Sequence, residues 1–183
     1  SCIDSQIKSS ARLTVKESGY LAGVSLSKLI FEQFDPGLEL EIMIKDGNKI
    51  KKGDIVFKVH GSTLSILATE RLVLNTIQRM SGITSFTREL NKMIKHTPCK
   101  ILDTRKTTPN FRYAEKLAVL IGGGTNHRMG LFDAILIKDN HIDYCGGMKN
   151  TLKKTEKYLN KLNTKFDVVV ECRNQKEIDS AIN

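Results

Sequence analysis

The sequence contains no tryptophan, few aromatic residues of any kind and no long apolar run. Aromatic residues make up only 6% of the chain, so platforms for stacking nucleic-acid bases are scarce. That scarcity weighs against the nucleic-acid reading that a net charge of +9 and a pI near 9.4 invite. Without a run of roughly 18 or more apolar residues, no membrane-spanning helix is expected. The first residues lack the basic and then apolar order of a signal peptide, so a soluble, cytoplasmic protein is expected. Cysteine is sparse as well: Cys2, Cys99, Cys145 and Cys172 form no CxxC pair and show no metal-ligand spacing. They read as free thiols in a reducing compartment, and the spacing speaks against a zinc site.

What is present is an ordinary globular composition. With 40% hydrophobic and 27% charged residues in 183, the chain can bury a core and is not of the disordered type. Part of the positive charge falls on Lys149, Lys153, Lys154, Lys157 and Lys161, whose spacing is that of the solvated face of a helix. A basic protein of this kind also suits a small polyanionic substrate.

Residues 12–20 alternate as a strand does, with Leu13 and Val15 on one face and Gly19 as the stop. An apolar-periodic helix follows over 25–34, closed by the turn Asp35-Pro36-Gly37. Leu38, Leu40, Ile42 and Ile44 then alternate with polar neighbours as a half-buried strand, Asp46-Gly47 turns the chain, and a further strand runs from 54 to 60, ending at Gly61. These sixty residues read as an α+β sheet layer. The longest helical pattern covers 69–93, with Leu72, Leu74, Ile77, Met80, Ile83, Phe86 and Leu90 as its apolar set; Ser81-Gly82 inside it signals a kink or a close approach. Thr97-Pro98 marks a domain boundary, dividing the chain into 1–97 and 98–183.

Beyond that boundary the rhythm changes to short apolar runs, 100–102, 134–137 and 168–170, alternating with helical stretches around 113–121, over 148–162 and from Gln175. Apolar runs without polar alternation are what strands buried on both faces look like, and they point to parallel βα units. Charge follows each run at once: Asp103-Thr104-Arg105-Lys106, then Lys138-Asp139-Asn140-His141, then Glu171. In a β/α barrel or open parallel sheet the carboxyl ends of the strands open onto one face, so Arg105, Lys106, Lys138 and Glu171 are expected to share a rim. Gly122-Gly123-Gly124-Thr125-Asn126-His127-Arg128 adds three glycines able to expose backbone N–H groups to an anion, and two directed donors. Such a basin calls for a substrate with several negative charges. Within it Glu171 reads either as a contact to magnesium or substrate or as an ion-pair partner of a neighbouring cation.

Five segments in order carry a family resemblance: Glu70-Arg71-Leu72-Val73-Leu74-Asn75, Gln78-Arg79-Met80-Ser81-Gly82-Ile83, Asp103-Thr104-Arg105-Lys106-Thr107-Thr108-Pro109, residues 122–131, and Leu136-Ile137-Lys138-Asp139-Asn140-His141. They resemble the signatures of quinolinate phosphoribosyltransferase. The resemblance implies a pentosyltransferase that joins quinolinate to the phosphoribosyl group of phosphoribosyl pyrophosphate with loss of carbon dioxide, giving nicotinate mononucleotide and pyrophosphate in NAD biosynthesis. It implies an N-terminal α+β sandwich followed by part of an open β/α barrel, in a homodimer or an assembly of dimers. Substrate carboxylates would be held by Arg105, Lys106, His127, Arg128 and Lys138, with Arg71 reaching the neighbouring subunit's site. Lys106, Lys138 and Glu171 would carry the chemistry, Glu171 beside Mg2+; no partnership with nucleic acid or membrane is implied.

The chain departs from the family pattern at two positions. Asn110 stands where glycine is common after Thr-Thr-Pro, and asparagine tolerates the left-handed backbone such a turn needs. Val169 stands where a second acid is common, leaving one carboxylate fewer. Three buried strands cannot close a barrel, so the chain reads as truncated at both ends, lacking the family's further acidic ligand and glycine-rich phosphate loops. Three other readings compete: a related transferase acting on nicotinate, a carrier-type module around 47–61, where Lys51-Lys52-Gly53-Asp54 has the turn pattern of lipoyl-like sheets but reads as scaffold, and nucleic-acid binding, which a steep salt dependence would support.

Overall fold

The alternating segments of the first sixty residues do form antiparallel strands, one apolar face turned inward, as a period of two requires. In the computed structural model, which describes Asp4, residues 6–162 and residues 165–182, β1 (Lys8–Thr14), β2 (Gly19–Tyr20), β3 (Glu39–Ile42), β4 (Lys49–Ile50) and β5 (Ile55–Ser62) build two small sheets. β5 is the centre of the first, flanked by β1 and β3; β2 pairs with β4 in the second. The single strand expected over 12–20 is thus two. A register irregularity between Leu13 and Thr14 turns the chain out of the first sheet, and the backbone N–H groups of Tyr20 and Leu21 then find Ser85 Oγ at 2.8 Å and Asn48 O at 2.9 Å. Within 47–61, Lys51 and Asp54 close a turn that leads directly into β5, the central strand.

α1 (Val24–Phe34) follows the predicted helix within one residue and buries Val24, Ser27 and Phe31. Its first N–H groups have no local cap, because Gly23 precedes it with φ 101°. Asp46 supplies one from the far side of a turn: Val24 N–H donates to Oδ1 at 2.8 Å and Ser25 N–H to Oδ2 at 3.1 Å. Phe31 meets Phe57 edge-to-face at 5.9 Å in the core beneath the sheet.

α2 (Thr63–Ile94) starts earlier than the periodicity suggested, capped by Ser62, and runs unbroken through Ser81-Gly82. Beside Gly82 there is open space, so neither a break nor a close approach accounts for that glycine. The inward face differs from the expected one: Leu72 and Phe86 are 56% and 63% exposed, whereas Thr69, Thr76, Thr84 and Thr87 are buried. Threonine can take these positions when its hydroxyl is satisfied. Thr69 Oγ1 donates to Ser65 O at 2.8 Å, and Thr84 Oγ1 crosses to Ala118 O at 2.9 Å on α3 (Arg112–Ile121). Small residues of α3, Ala114 and Ala118, let the two helices approach over Met80.

The chain forms two compact units, residues 1–127 and 128–183. The second is built from β6 (Ala134–Ile137), α4 (Asp139–Tyr144), α5 (Met148–Leu162), β7 (Asp167–Val170) and α6 (Gln175–Ile182). β6 and β7 pair in parallel, with Ile137 opposite Val170, and Ile137, Ile142 and Met148 form the core. Lys149, Lys153, Lys154, Lys157 and Lys161 lie on the exposed face of α5, as their spacing predicts. The fold is therefore α/β, with an α+β layer first and parallel βα units after it.

Two expectations about these strands need correction. Residues 100–102 do not form a strand; Leu102 makes one isolated parallel bridge to Thr125, because no continuous neighbour lies alongside to extend a ladder. Nor are the other two runs buried on both faces. Val168 and Val169 are each 38% exposed, since the sheet holding them is two strands wide. Cys99, Cys145 and Cys172 are free thiols, while Cys2 lies outside the described residues. No helix among the described residues is long and apolar enough to cross a membrane.

Candidate active site

In the first unit the chemistry is organised by two consecutive residues of α3, Glu115 and Lys116. Lys116 is 1% exposed and forms an ion pair with Asp103, whose side chain is 7% exposed. Asp103 Oδ1 also accepts the His127 N–H at 2.8 Å. In the orientation its neighbours require, the Asn126 amide donates to Asp103 Oδ2 at 2.7 Å and to Lys116 O at 2.9 Å. One carboxylate thus holds a buried ammonium and the loop leading to His127. Charges this deep are tolerated only when paired and hydrogen-bonded, and here both conditions are met.

Glu115 performs the corresponding task one residue earlier. Its Oε1 accepts Thr108 Oγ1 at 2.8 Å and Arg79 Nη2 at 2.7 Å, and its Oε2 accepts the Thr108 N–H at 3.2 Å. Arg79 comes from α2, so the Thr108 end of the loop is tied to two helices at once. Between these anchors lie Arg105 and Lys106. Lys106 is exposed, and its backbone is turned by Thr104 Oγ1 at 3.0 Å. Arg105 is half-buried, and its Nε has no hydrogen-bond partner among the described residues. A buried guanidinium nitrogen left unpaired is a donor awaiting an acceptor. The turn beyond is completed by Asn110 at φ 60°, the left-handed geometry expected of an asparagine standing in for glycine.

Burial alone would raise the Glu115 carboxyl, but hydrogen bonds from Arg79 and Thr108 and the Arg79 charge outweigh it and hold the group below its ordinary value of 4.5. A carboxyl depressed by folding contributes stability that is complete above its unfolded value and disappears as pH falls through the folded one. Glu115→Gln is therefore expected to flatten the loss of stability below pH 4.5, its ordinary value, relative to the wild type. Urea midpoints recorded from pH 6 down to about 3 measure this, and parallel curves would refute it.

The triple glycine does not present its N–H groups to an anion, contrary to the sequence reading. Gly122, Gly123 and Gly124 donate to Ala118 O, Leu120 O and Val119 O at 3.0, 2.9 and 2.9 Å, closing the end of α3. The glycines answer to sterics instead. A Cβ at Gly122 would stand 2.6 Å from Thr87 Cβ, one at Gly124 would stand 2.7 Å from Val119 Cγ1, and Gly123 has φ 85°.

In the second unit the parallel register sets Lys138 and Glu171 side by side, each one residue past the paired Ile137 and Val170. Their side chains meet at 3.5 Å, and Glu171 N–H donates to Ile137 O at 2.9 Å. Both side chains are about half exposed, 43% and 53%, so this pair adds little to stability. Lys138 also begins α4, where its N–H donates to His141 Nδ1 at 2.9 Å. Arg128 is half-buried. Among the described residues no group of three His, Cys, Asp or Glu side chains is placed to hold a metal. The observed partner of Glu171 is Lys138, the ion-pair role that was the alternative to a metal contact; a lone carboxylate can serve magnesium only where substrate oxygens and water fill its other positions.

The predicted site residues therefore fall into two sets: Arg105, Lys106 and His127 in the first unit, Arg128, Lys138 and Glu171 in the second. Arg71 belongs to the first unit and projects from α2 as an exposed side chain. Cavity size does not locate the chemistry. A cavity of about 370 Å3 bounded by Leu13, Phe31, Phe57 and Ile66, and another of about 540 Å3 near Gln78, Ser81 and Ser85, contain none of these residues. An apolar lining like that of the first does not match a polyanion. The anchors Glu115 and Lys116 were not singled out from the sequence, and Arg79 stood in a family segment without a role of its own. The signal was available in a weak form, as a Glu-Lys pair between Ala114 and Ala118 on the face of α3 that meets α2.

Residues 1–81 match the family model described as the quinolinate phosphoribosyl transferase N-terminal domain, and residues 83–183 match its C-terminal domain. The chain is 46% identical over 172 residues to the chloroplastic nicotinate-nucleotide pyrophosphorylase [carboxylating] of Arabidopsis thaliana, covering 94% of this chain and 49% of that protein. It is 40% identical over 172 residues to a probable nicotinate-nucleotide pyrophosphorylase [carboxylating] of Bacillus subtilis, covering 94% and 58%. The solved nicotinate-nucleotide pyrophosphorylase of Francisella tularensis matches with a TM-score of 0.86 at 39% identity, over 96% of this chain and 61% of that one. The chain thus spans about half the length of the curated relatives it matches. Both family domains, met in order along the chain, and a close structural match at substantial identity lead to one conclusion: the chain belongs to the quinolinate phosphoribosyltransferase family.

Proposed function

We propose that the protein carrying this chain transfers the phosphoribosyl group of phosphoribosyl pyrophosphate to quinolinate, releasing pyrophosphate and carbon dioxide and leaving nicotinate mononucleotide. The observation that carries the reading is the anchored loop with adjacent cations, Arg105 and Lys106, the first bearing a buried nitrogen without a partner among the described residues. Guanidinium groups bind planar carboxylates in two-point fashion, and a rigid loop does so with little ordering cost.

In this proposal Arg105, Lys106, His127, Arg128 and Lys138 hold the substrate carboxylates and aim the pyridine nitrogen at C1 of the ribose. Bound magnesium would neutralise charge building on the departing pyrophosphate, with Glu171 as the protein carboxylate that holds it. The pyridine nitrogen is itself the nucleophile, so the chain supplies position and charge rather than a covalent partner. Once the C1–N bond has formed, the pyridinium draws electrons from its neighbouring carbon. The carboxylate there leaves as carbon dioxide, and the carbon takes up a proton. Lys106 and Lys138 stand beside the charge that moves. Arg71, exposed on α2, is proposed to reach the neighbouring subunit's site in a homodimer or an assembly of dimers. We place the domain division at 97/98, after α2, and the reaction in the cytoplasm.

The test is product analysis of the full-length protein with phosphoribosyl pyrophosphate, magnesium and either quinolinate or nicotinate. Nicotinate mononucleotide is expected from quinolinate alone. Its absence, or equal turnover of nicotinate, overturns the proposal.

A further inference from the structure

A buried ion pair is an expensive way to hold two helices or loops together, because packed apolar side chains of similar volume usually do as well or better. Lys116 and Asp103 are nevertheless almost completely enclosed, and the next residue back, Glu115, is buried too. What the charges achieve and apolar groups cannot is multiplicity. Asp103 accepts from Lys116, from the His127 backbone and from the Asn126 amide; Glu115 accepts from Arg79 and twice from Thr108. The partners share a pattern. Asp103 and Thr108 are the two ends of the segment carrying Arg105 and Lys106, and His127 is the third residue of the same unit proposed to hold substrate. Two adjacent residues of one helix therefore fix both ends of one cationic loop and the entry to another.

We infer that Glu115 and Lys116 are positioning residues, which set the spacing of Arg105, Lys106 and His127 and so determine how well the site takes a dicarboxylate. The inference rests on the proposed activity and adds to it a part of the chain that does not touch substrate. A loop held at one end only could rotate its two cations apart. Held at both ends by consecutive residues of a single rigid helix, it keeps one separation. Misplacing such groups by about 1 Å costs on the order of a hundredfold in productive binding and turnover.

Two variants of the full-length protein test this. Glu115→Gln keeps the shape of the side chain but turns a donor toward the Thr108 N–H. The double variant Asp103→Leu with Lys116→Met removes both buried charges at nearly constant volume, so that neither is left unpaired. Steady-state kinetics are measured at a temperature where circular dichroism shows each variant folded. The expected result is a rise of about tenfold or more in KM for quinolinate, with KM for phosphoribosyl pyrophosphate within about twofold of wild type. A role confined to stability would lower the melting temperature and leave the quinolinate KM alone; that outcome, or an equal rise in both KM values, overturns the inference. If the double variant does not fold, Glu115→Gln decides by itself. A wild type that turns over no quinolinate refutes the activity on which this rests, whereas an active wild type with unaltered variants refutes the positioning role alone.

Discussion

Lys138→Ala in the full-length protein is expected to lower kcat/KM for quinolinate by about a hundredfold or more, a loss of about 3 kcal/mol in transition-state stabilisation. The same substitution is expected to cost no more than about 1 kcal/mol of stability, because the pair that Lys138 makes with Glu171 is open to solvent. Arg105→Ala should behave alike in kinetics, since the guanidinium Nε it removes has no partner among the described residues. Activity and stability therefore separate. Steady-state rates set beside urea denaturation measure the two quantities on one sample, and losses of similar size in both would show that these cations serve the fold rather than the substrate.

The second large effect lies on stability. Lys116→Met alone leaves the Asp103 carboxylate enclosed without its counter-charge, and breaking one side of a buried pair typically costs about 3–5 kcal/mol. A loss of that size is a large part of what an ordinary domain has. The double replacement with Asp103→Leu should recover most of it, because the second change removes the stranded charge. Chemical denaturation of both single variants and the double one gives the coupling directly. A Lys116→Met protein within about 1 kcal/mol of wild type would mean that water reaches Asp103 in solution.

Some features were readable from the letters because they depend on neighbours in the chain. Strand alternation over the first sixty residues, the α1 and α5 helices and the Asp35-Pro36-Gly37 turn follow from local backbone sterics and from period, and the left-handed Asn110 from the family pattern it departs from. The placement of Lys138 beside Glu171 was readable too, once 134–137 and 168–170 were taken as parallel strands, since register then dictates what emerges at their ends. Features that depend on distant partners were not. The run 100–102 has strand-like letters but only Thr125 to bridge, and the triple glycine has the letters of an anion cradle although its N–H groups close α3. On α2, threonines displaced two of the predicted core residues, because a hydroxyl satisfied by a backbone carbonyl can be buried as readily as a small apolar group.

By itself the sequence determined the family and the α/β class, since composition, periodicity and motif order are properties of the chain. Tertiary structure alone decided which charges face inward. Glu115 and Lys116 are neighbours in the chain and differ in sign, and their burial was set by what packed against α3: a carboxylate on one side, a threonine and a guanidinium on the other. Whether a charge is enclosed depends on partners distant in sequence brought within hydrogen-bonding reach, and periodicity along one helix carries no record of them.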